Sequence, residues 1–134
     1  MIVIDASVAL KWVLPEDDST AARSLFQQEL VAPTLWLIEA GNALWRLANT
    51  KKLSFVEVQS RLTQLANAPV TLMPSEAYVK DALELAIQLR HPIYDCIYLA
   101  AAIHQDTHVV TADNRFHAAV SHKRNLKQRV RLLA

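Results

Sequence analysis

Three consecutive β-branched residues near the amino end, Ile2-Val3-Ile4, constrain the fold more than any other stretch, because no polar residue alternates with them. A strand with one wet face alternates apolar with polar side chains. An unbroken apolar run belongs to a strand covered on both faces, as in a parallel sheet between helical layers. The run ends on Asp5, which therefore occupies the carboxyl end of the strand, the edge where open α/β sheets place their ligands. Asp5 also stands directly before a helical segment opening near Ala6, and aspartate is a favoured helix cap. Taken alone, Asp5 reads more simply as a cap. Three further carboxylates in equally apolar surroundings favour the ligand-binding reading.

The remainder of the chain alternates helix with strand. Ala6 to Leu14 reads as a short helix stopped by Pro15, since proline disfavours helical geometry in the residue before it. Glu16-Asp17-Asp18 is a loop, and Ser19 is placed to cap a second helix with Ala22, Leu25 and Phe26 as its apolar stripe. Leu30 to Ala32 is a short strand closed by Pro33. From Thr34 to about Asn49 the pattern predicts a helix apolar on most of its surface, largely buried in the core or in an interface, with Glu39 in its middle. Ser54 and Glu57 form a capping box that opens a helix turning Val58, Leu62, Leu65 and Ala66 inward. Val70 to Met73 is a strand. Ser75 is expected to cap a helix reaching Leu89, with Val79, Ala82, Leu83, Leu85 and Ala86 on its apolar side, broken by Arg90-His91-Pro92. Ile93 to about Ile103 is a helix with Asp95 in its first turn, and Ala100-Ala101-Ala102 permits close approach to the sheet. His108 to Thr111 is a strand followed by Asp113, Asn114 to Ser121 a short helix, and the alternating Arg129 to Leu132 suits an edge strand. The expected architecture is a three-layer α/β/α sandwich around a mainly parallel, short-stranded sheet. At 134 residues, the chain is expected to be one domain, 1–134.

Composition excludes several classes. Hydrophobic residues make up 52% and charged residues 20%, values of a compact globular chain. Apolar runs are broken well before the roughly 18 residues of a membrane span, and no basic start precedes an apolar signal core, so a soluble, cytoplasmic protein with no membrane contact is expected. The single cysteine, Cys96, forms no internal disulfide. The single glycine, Gly41, excludes the glycine-rich phosphate cradles of Walker or dinucleotide type. Net charge is only +1, but six of the fourteen basic residues lie after Asp113, where no acid remains. Among them, Arg115, Lys123, Arg124 and Lys127 are candidates for a phosphate-contacting edge. A solvated surface is the equally simple reading of each one.

Of the thirteen acids, Asp5, Glu39, Asp95 and Asp113 stand in apolar contexts. A buried ionised carboxylate needs hydrogen bonds, a counter-charge or a metal. The Lys or Arg residues nearest Asp5, Glu39 and Asp95 in sequence, Lys11, Arg46 and Arg90, stand at no i, i+3 or i+4 offset from these acids. Asp5 and Asp113 each follow a predicted strand and Asp95 opens a helix, so the three are expected at one sheet edge, with Glu39 joining from its helix. Carboxylates about 4 Å apart repel by several kcal/mol at the effective dielectric of proteins, and a divalent cation resolves that repulsion. An all-oxygen donor set favours Mg²⁺ or Mn²⁺ over zinc or copper, and the matching chemistry is phosphodiester hydrolysis by metal-activated water. Ser7, Thr111, Asn42 and Asn114 lie at offsets that suit support of these acids, and each also reads as an ordinary cap or turn residue. His104 and His108 lack a zinc-protease pattern, and neither Ser7 nor Cys96 has the base or positive neighbour a nucleophile needs. Trp12, Trp36 and Trp45 read as core or interface anchors, the last two on the Glu39 helix.

The ordered set Ile2-Val3-Ile4-Asp5-Ala6-Ser7, Glu39 with Asn42-Ala43-Leu44, Tyr94-Asp95-Cys96-Ile97-Tyr98-Leu99-Ala100-Ala101 and Val110-Thr111-Ala112-Asp113-Asn114-Arg115-Phe116 resembles the PIN-domain family, and within it the VapC-type toxins of toxin–antitoxin pairs. The resemblance spans essentially the whole chain. It implies a Mg²⁺- or Mn²⁺-dependent endoribonuclease with Asp5, Glu39, Asp95 and Asp113 as its acidic, metal-holding cluster, commonly dimeric and inhibited by a small antitoxin protein. Some members carry a further acid after the fourth, where this chain has Asn114, which bears on whether a second metal binds. The basic residues after Asp113 would then contact RNA. Three alternatives stand beside this reading: a PIN-like module that binds RNA or a partner without cleaving, a housekeeping PIN nuclease without antitoxin, and phosphoryl transfer through Asp5. Against the last, Ser7 stands where haloacid-dehalogenase-like enzymes have a second aspartate, and no late lysine of the receiver type is present.

Overall fold

The computed structural model describes all residues, Met1–Ala134. Five strands, β1 (Ile2–Ile4), β2 (Leu30–Pro33), β3 (Val70–Met73), β4 (Val109–Thr111) and β5 (Val130–Leu132), form one sheet in the order β3-β2-β1-β4-β5, and every neighbouring pair is parallel. Seven helices connect them: α1 (Ala6–Val13), α2 (Ser19–Ser24), α3 (Leu35–Asn49), α4 (Phe55–Ala66), α5 (Val79–Leu89), α6 (Ile93–His104) and α7 (Asn114–Ser121). The chain steps from β1 to β2 to β3 in one direction, then crosses back to β4 and β5. Right-handed crossovers therefore put α1 to α4 on one face of the sheet and α5 to α7 on the other. In keeping with this, α1 packs on α3 and α4, and α5 lies along α6. The predicted three-layer architecture is the observed one, with the sheet wholly parallel.

The layers meet where the apolar runs predicted. Every residue of β1, β2 and β4 is buried, and α6 buries an unbroken run from Cys96 to Ala102. The three alanines of that run let the α6 backbone sit close against β1, β2 and β4. Tyr98 and Phe116 are the largest fully buried side chains. No helix is long and apolar enough to cross a membrane.

Several expectations about individual residues require correction. Ser19 is the first residue of α2 and caps nothing there; its hydroxyl donates to the Leu14 carbonyl and accepts from Glu16 N–H, closing the acidic loop. The stripe expected after it breaks up, because the helix ends at Ser24 and tightens into a 3-10 turn over Leu25–Gln27, leaving Phe26 exposed against Trp12. Ser75 lies in a 3-10 turn ahead of α5, and its hydroxyl instead accepts the N–H of Leu35 at 2.8 Å, capping α3 from a distant segment. Leu62, Ala66, Val79 and Leu83, expected inside, are exposed. Helix α3 buries only the stripe Trp36, Ala40 and Leu44, leaving Ile38 72% and Trp45 58% exposed, so its surplus of apolar residues faces solvent and not the core. Trp36 is accordingly a core residue. The Ser54–Glu57 capping box is present with both of its reciprocal bonds.

Candidate active site

Strand order explains why a site forms beside β1. The chain leaves β1 toward β2 and leaves β4 toward β5, in opposite directions, so the carboxyl ends of these two neighbours flank a topological switch point, where α/β sheets open a crevice. Asp5 follows β1 and Asp113 follows β4. Asp95 comes from the first turn of α6 and Glu39 from the second turn of α3. All four carboxylates line one cleft of about 260 Å³, together with Ser7, Leu10 and Arg46.

The pairing of Val3 with Val109 and Ile4 with Val110 sets Asp5 opposite Thr111. The Thr111 hydroxyl donates to Asp5 Oδ2, while Ser7 Oγ donates to Asp5 Oδ1 at 2.6 Å. These two hydroxyls also reach the other strand end: Ala112 N–H donates to Ser7 Oγ at 2.9 Å and Asp113 N–H to Thr111 Oγ1 at 3.0 Å. Asp5 also caps α1, its Oδ1 accepting from Val8 N–H, so the capping reading is true of it as well. Asp113 caps α7 in the same manner through Arg115 N–H and Phe116 N–H. Each strand-end acid is thus held by the first turn of the helix that follows, whose dipole favours negative charge.

The electrostatics are those of crowded anions. Asp5 is 4% exposed, and burial pushes its carboxyl up to about 6 against the hydroxyl and Val8 bonds that pull it down, with Asp95 adding to the rise. Burial likewise raises Glu39, offset by the Tyr98 hydroxyl that donates to it at 2.5 Å, and Asp95 again raises it. Asp95 is raised by burial and by Asp113, and lowered by His91, whose Nε2 lies 2.6 Å from Asp95 Oδ2. His91 in turn stacks on Phe116 with ring centroids 5.7 Å apart. Lys11, the basic residue nearest Asp5 in sequence, is drawn away to Glu16 and Asp18. Arg46 lines the cleft without pairing with any acid, and no Lys or Arg forms an ion pair with the four carboxylates.

The structure distributes the remaining candidates unevenly. Asn42 and Asn114 are exposed, and neither side chain bonds to an acid. Arg115 sits in the first turn of α7 beside Asp113, whereas Lys123, Arg124 and Lys127 lie in the connection that enters β5, at the opposite, amino edge of the sheet. Two residues of the site escaped the sequence reading. His91 precedes Asp95 by one helical turn, an offset visible in the sequence but obscured by the Pro92 break; Tyr98 meets Glu39 across 59 positions with no local signal. Cys96 is buried, and burial with Asp95 pushes its thiol up to about 11, which removes it as a nucleophile.

The donor set suits a hard divalent cation: oxygen donors only, with Asp5, Glu39 and Asp95 raised chiefly by burial and further by a neighbouring carboxylate, and no guanidinium or ammonium bridging them. No three of these side chains are gathered tightly enough to form a finished ligand cage, since each is turned to a protein donor of its own.

Comparison with known proteins agrees with the fold. The family model described as PIN domain matches residues 2–121. No curated protein matches the sequence. Among solved structures, PAE2754 from Pyrobaculum aerophilum superposes with a TM-score of 0.73 at 18% identity, covering 98% of this chain and 88% of its own. VapC20 of Mycobacterium tuberculosis, a toxin that cleaves the sarcin-ricin loop, gives 0.69 at 13% identity, covering 89% and 95%. A toxin–antitoxin complex from Klebsiella pneumoniae gives 0.66 at 13% identity, covering 88% and 91%. At these identities the likeness is one of fold.

Proposed function

Since this chain belongs to the PIN-domain family, we propose that it is a divalent-metal-dependent endoribonuclease, the toxin of a toxin–antitoxin pair. The observation that carries the proposal is the convergence of Asp5, Glu39, Asp95 and Asp113, from four separate elements, on one cleft with no lysine or arginine paired to them and only His91 beside Asp95. A site built only to bind a polyanion would not surround it with four carboxylates. The same four residues would hold Mg²⁺ or Mn²⁺. When bound, such an ion activates water and stabilises charge on the oxygens of the scissile phosphodiester.

The residues around the acids have separable tasks. Thr111 and Ser7 fix both oxygens of Asp5, so the carboxylate cannot rotate away from the cleft. Tyr98 does the same for Glu39, and His91 for Asp95. Burial holds Asp5 and Glu39 above the ordinary carboxylate range, so a cation completes the site by favouring their ionised forms. Arg46 and Arg115, free of acidic partners at the cleft and its rim, are suited to hold the phosphates of the RNA strand.

Partner binding draws on a different part of the surface. The groove between α3 and α4, lined by Leu44, Trp45, Ala48, Phe55, Val58 and Leu62, is apolar and open. It supports docking of a small antitoxin through an amphipathic segment. A second exposed apolar stripe, Val79, Leu83 and Ile87 on α5, supports a homodimer.

The purified protein tests the enzymatic reading. RNA cleavage with Mg²⁺ or Mn²⁺ is expected to cease on adding EDTA, and to fall at least a hundredfold in Asp5→Asn or Asp95→Asn, the scale expected when a group central to catalysis is removed. Cleavage indifferent to chelator and to both substitutions defeats the mechanism. A wild-type protein that binds the cation yet leaves RNA intact supports a binding module instead.

A further inference from the structure

A second charged cavity lies at the amino edge of the sheet, across the length of the strands from the acidic cleft. Thr107 and His108 approach it from the turn entering β4, and Arg124, Gln128, Arg129 and Arg131 from the segment entering and forming β5. It measures about 520 Å³, and no residue lining it is hydrophobic. Its charge is unbalanced. Arg129 is committed to the fold, donating to the Thr107 carbonyl at 2.9 Å and to Asp106 Oδ1 at 3.1 Å, and Asp106 is the only acid in the lining. Arg124 and Arg131 are exposed, and neither lies within ion-pair distance of a carboxylate. The side chain of Gln128 makes no hydrogen bond within the chain. Burial chiefly, and then the positive charges of Arg131 and the amino terminus, hold His108 below its usual range.

Two free guanidinium forks and an uncommitted amide, gathered in a cavity without apolar walls, describe a receptor for phosphate. Guanidinium matches a phosphate group with paired hydrogen bonds. A peptide would require an apolar or aromatic anchor, and none is available. We propose that this cavity binds the phosphodiester backbone of a single-stranded RNA outside the catalytic cleft, with Arg124 and Arg131 making the contacts. The inference rests on the ribonuclease reading only in identifying the nucleic acid as substrate RNA; binding itself requires no cleavage. The anchor reads backbone and not bases, so it raises affinity for any strand reaching the β5 edge.

The test uses the full chain carrying Asp95→Asn, so that RNA survives, and a labelled unstructured RNA followed by fluorescence anisotropy over a range of salt concentrations. Adding Arg124→Ala and Arg131→Ala should reduce the slope of log affinity against log salt by about 1.4, from about 0.7 for each lost single-strand phosphate contact. The loss should be equal for RNAs of different sequence. Lys51→Ala with Lys52→Ala, which removes the same charge from the α3–α4 turn, should leave most of the slope in place. Unchanged melting by circular dichroism shows that the pair of substitutions spares the fold, which is expected because neither arginine has a structural partner. An unchanged salt slope overturns the proposal, as does an equal loss in the lysine control. Inorganic phosphate that raises the melting temperature through Arg124 and Arg131, with no change in the RNA slope, assigns the cavity to a free anion and also overturns it. An unchanged slope, with cleavage by the chain bearing the native Asp95, overturns the anchor and leaves the nuclease reading standing. A reduced slope, with no cleavage by the chain bearing the native Asp95, supports the anchor while removing that reading.

Discussion

Asp5 is stabilised in its neutral form by burial in the fold and needed in its ionised form by the proposed chemistry. Its carboxyl moves from the ordinary 3.8 up to about 6, so between these values the folded protein holds a proton that the unfolded chain has lost. Stability therefore falls as pH rises through that window, by up to about 3 kcal/mol at completion. Asp5→Asn, which cannot ionise, should accordingly melt higher than the wild type above pH 6, with the advantage disappearing near pH 4. Thermal denaturation across pH in chelator measures this, and an advantage that persists at pH 4 refutes it. Added Mg²⁺ should stabilise the wild type most at high pH, and the variant little. Sequence offsets exposed Ser7 and Thr111 because they lie two residues from their acids, where strand and turn geometry is regular. His91 and Tyr98 stayed hidden for different reasons: a proline breaks the apparent helical phase before Asp95, and the Tyr98 bond to Glu39 depends on how α6 lies against α3.

At the level of elements, what a helix needs and where the need is met are different matters. The Ser54–Glu57 box is local, with both partners three residues apart, and the sequence displays it fully. The cap of α3 is not local. Its first N–H, that of Leu35, is served by Ser75, forty residues away just beyond β3, through a hydroxyl that also meets Thr34 at 3.1 Å. The sequence assigned Ser75 to the helix that follows it because capping rules count along the chain. Ser54→Ala and Ser75→Ala should each cost about 1 kcal/mol, the ordinary value of a lost cap. Only the second should lower RNA cleavage, because α3 carries Glu39 into the cleft; the melting temperature and the cleavage rate of both variants together check this. Equal activity in the two would mean that the position of Glu39 does not depend on the cap. The exposed apolar residues of α4 and α5 stand outside the interior that periodicity gives them for a related reason: periodicity reports which side of a helix is apolar, and not what covers it.

At the scale of the molecule, the alternation of strands with helices disclosed a parallel α/β sandwich, yet the strand order was beyond reach, since each short connection is compatible with several neighbours. That order is what puts β1 next to β4 and makes two strand-end aspartates into one site. The apolar faces predict how the whole protein associates. Trp45→Glu should abolish binding of the proposed antitoxin, in co-purification and calorimetry, without changing the cleavage rate of the free protein. Leu83→Glu with Ile87→Glu should convert a dimer into a monomer by light scattering. Either variant binding or assembling as the wild type does would detach its groove or stripe from the role assigned to it.

The bond from Thr111 to Asp5 spans 106 residues, so it has no counterpart in any shorter stretch of the polypeptide. A nascent chain emerging from the ribosome presents Asp5 early, and β2 can join β1 soon after, but the strand-end site is incomplete until β4 slots in on the other side. For the proposed nuclease, synthesis would thus carry its own delay, with the α3–α4 face proposed to receive the antitoxin made before the cleft exists.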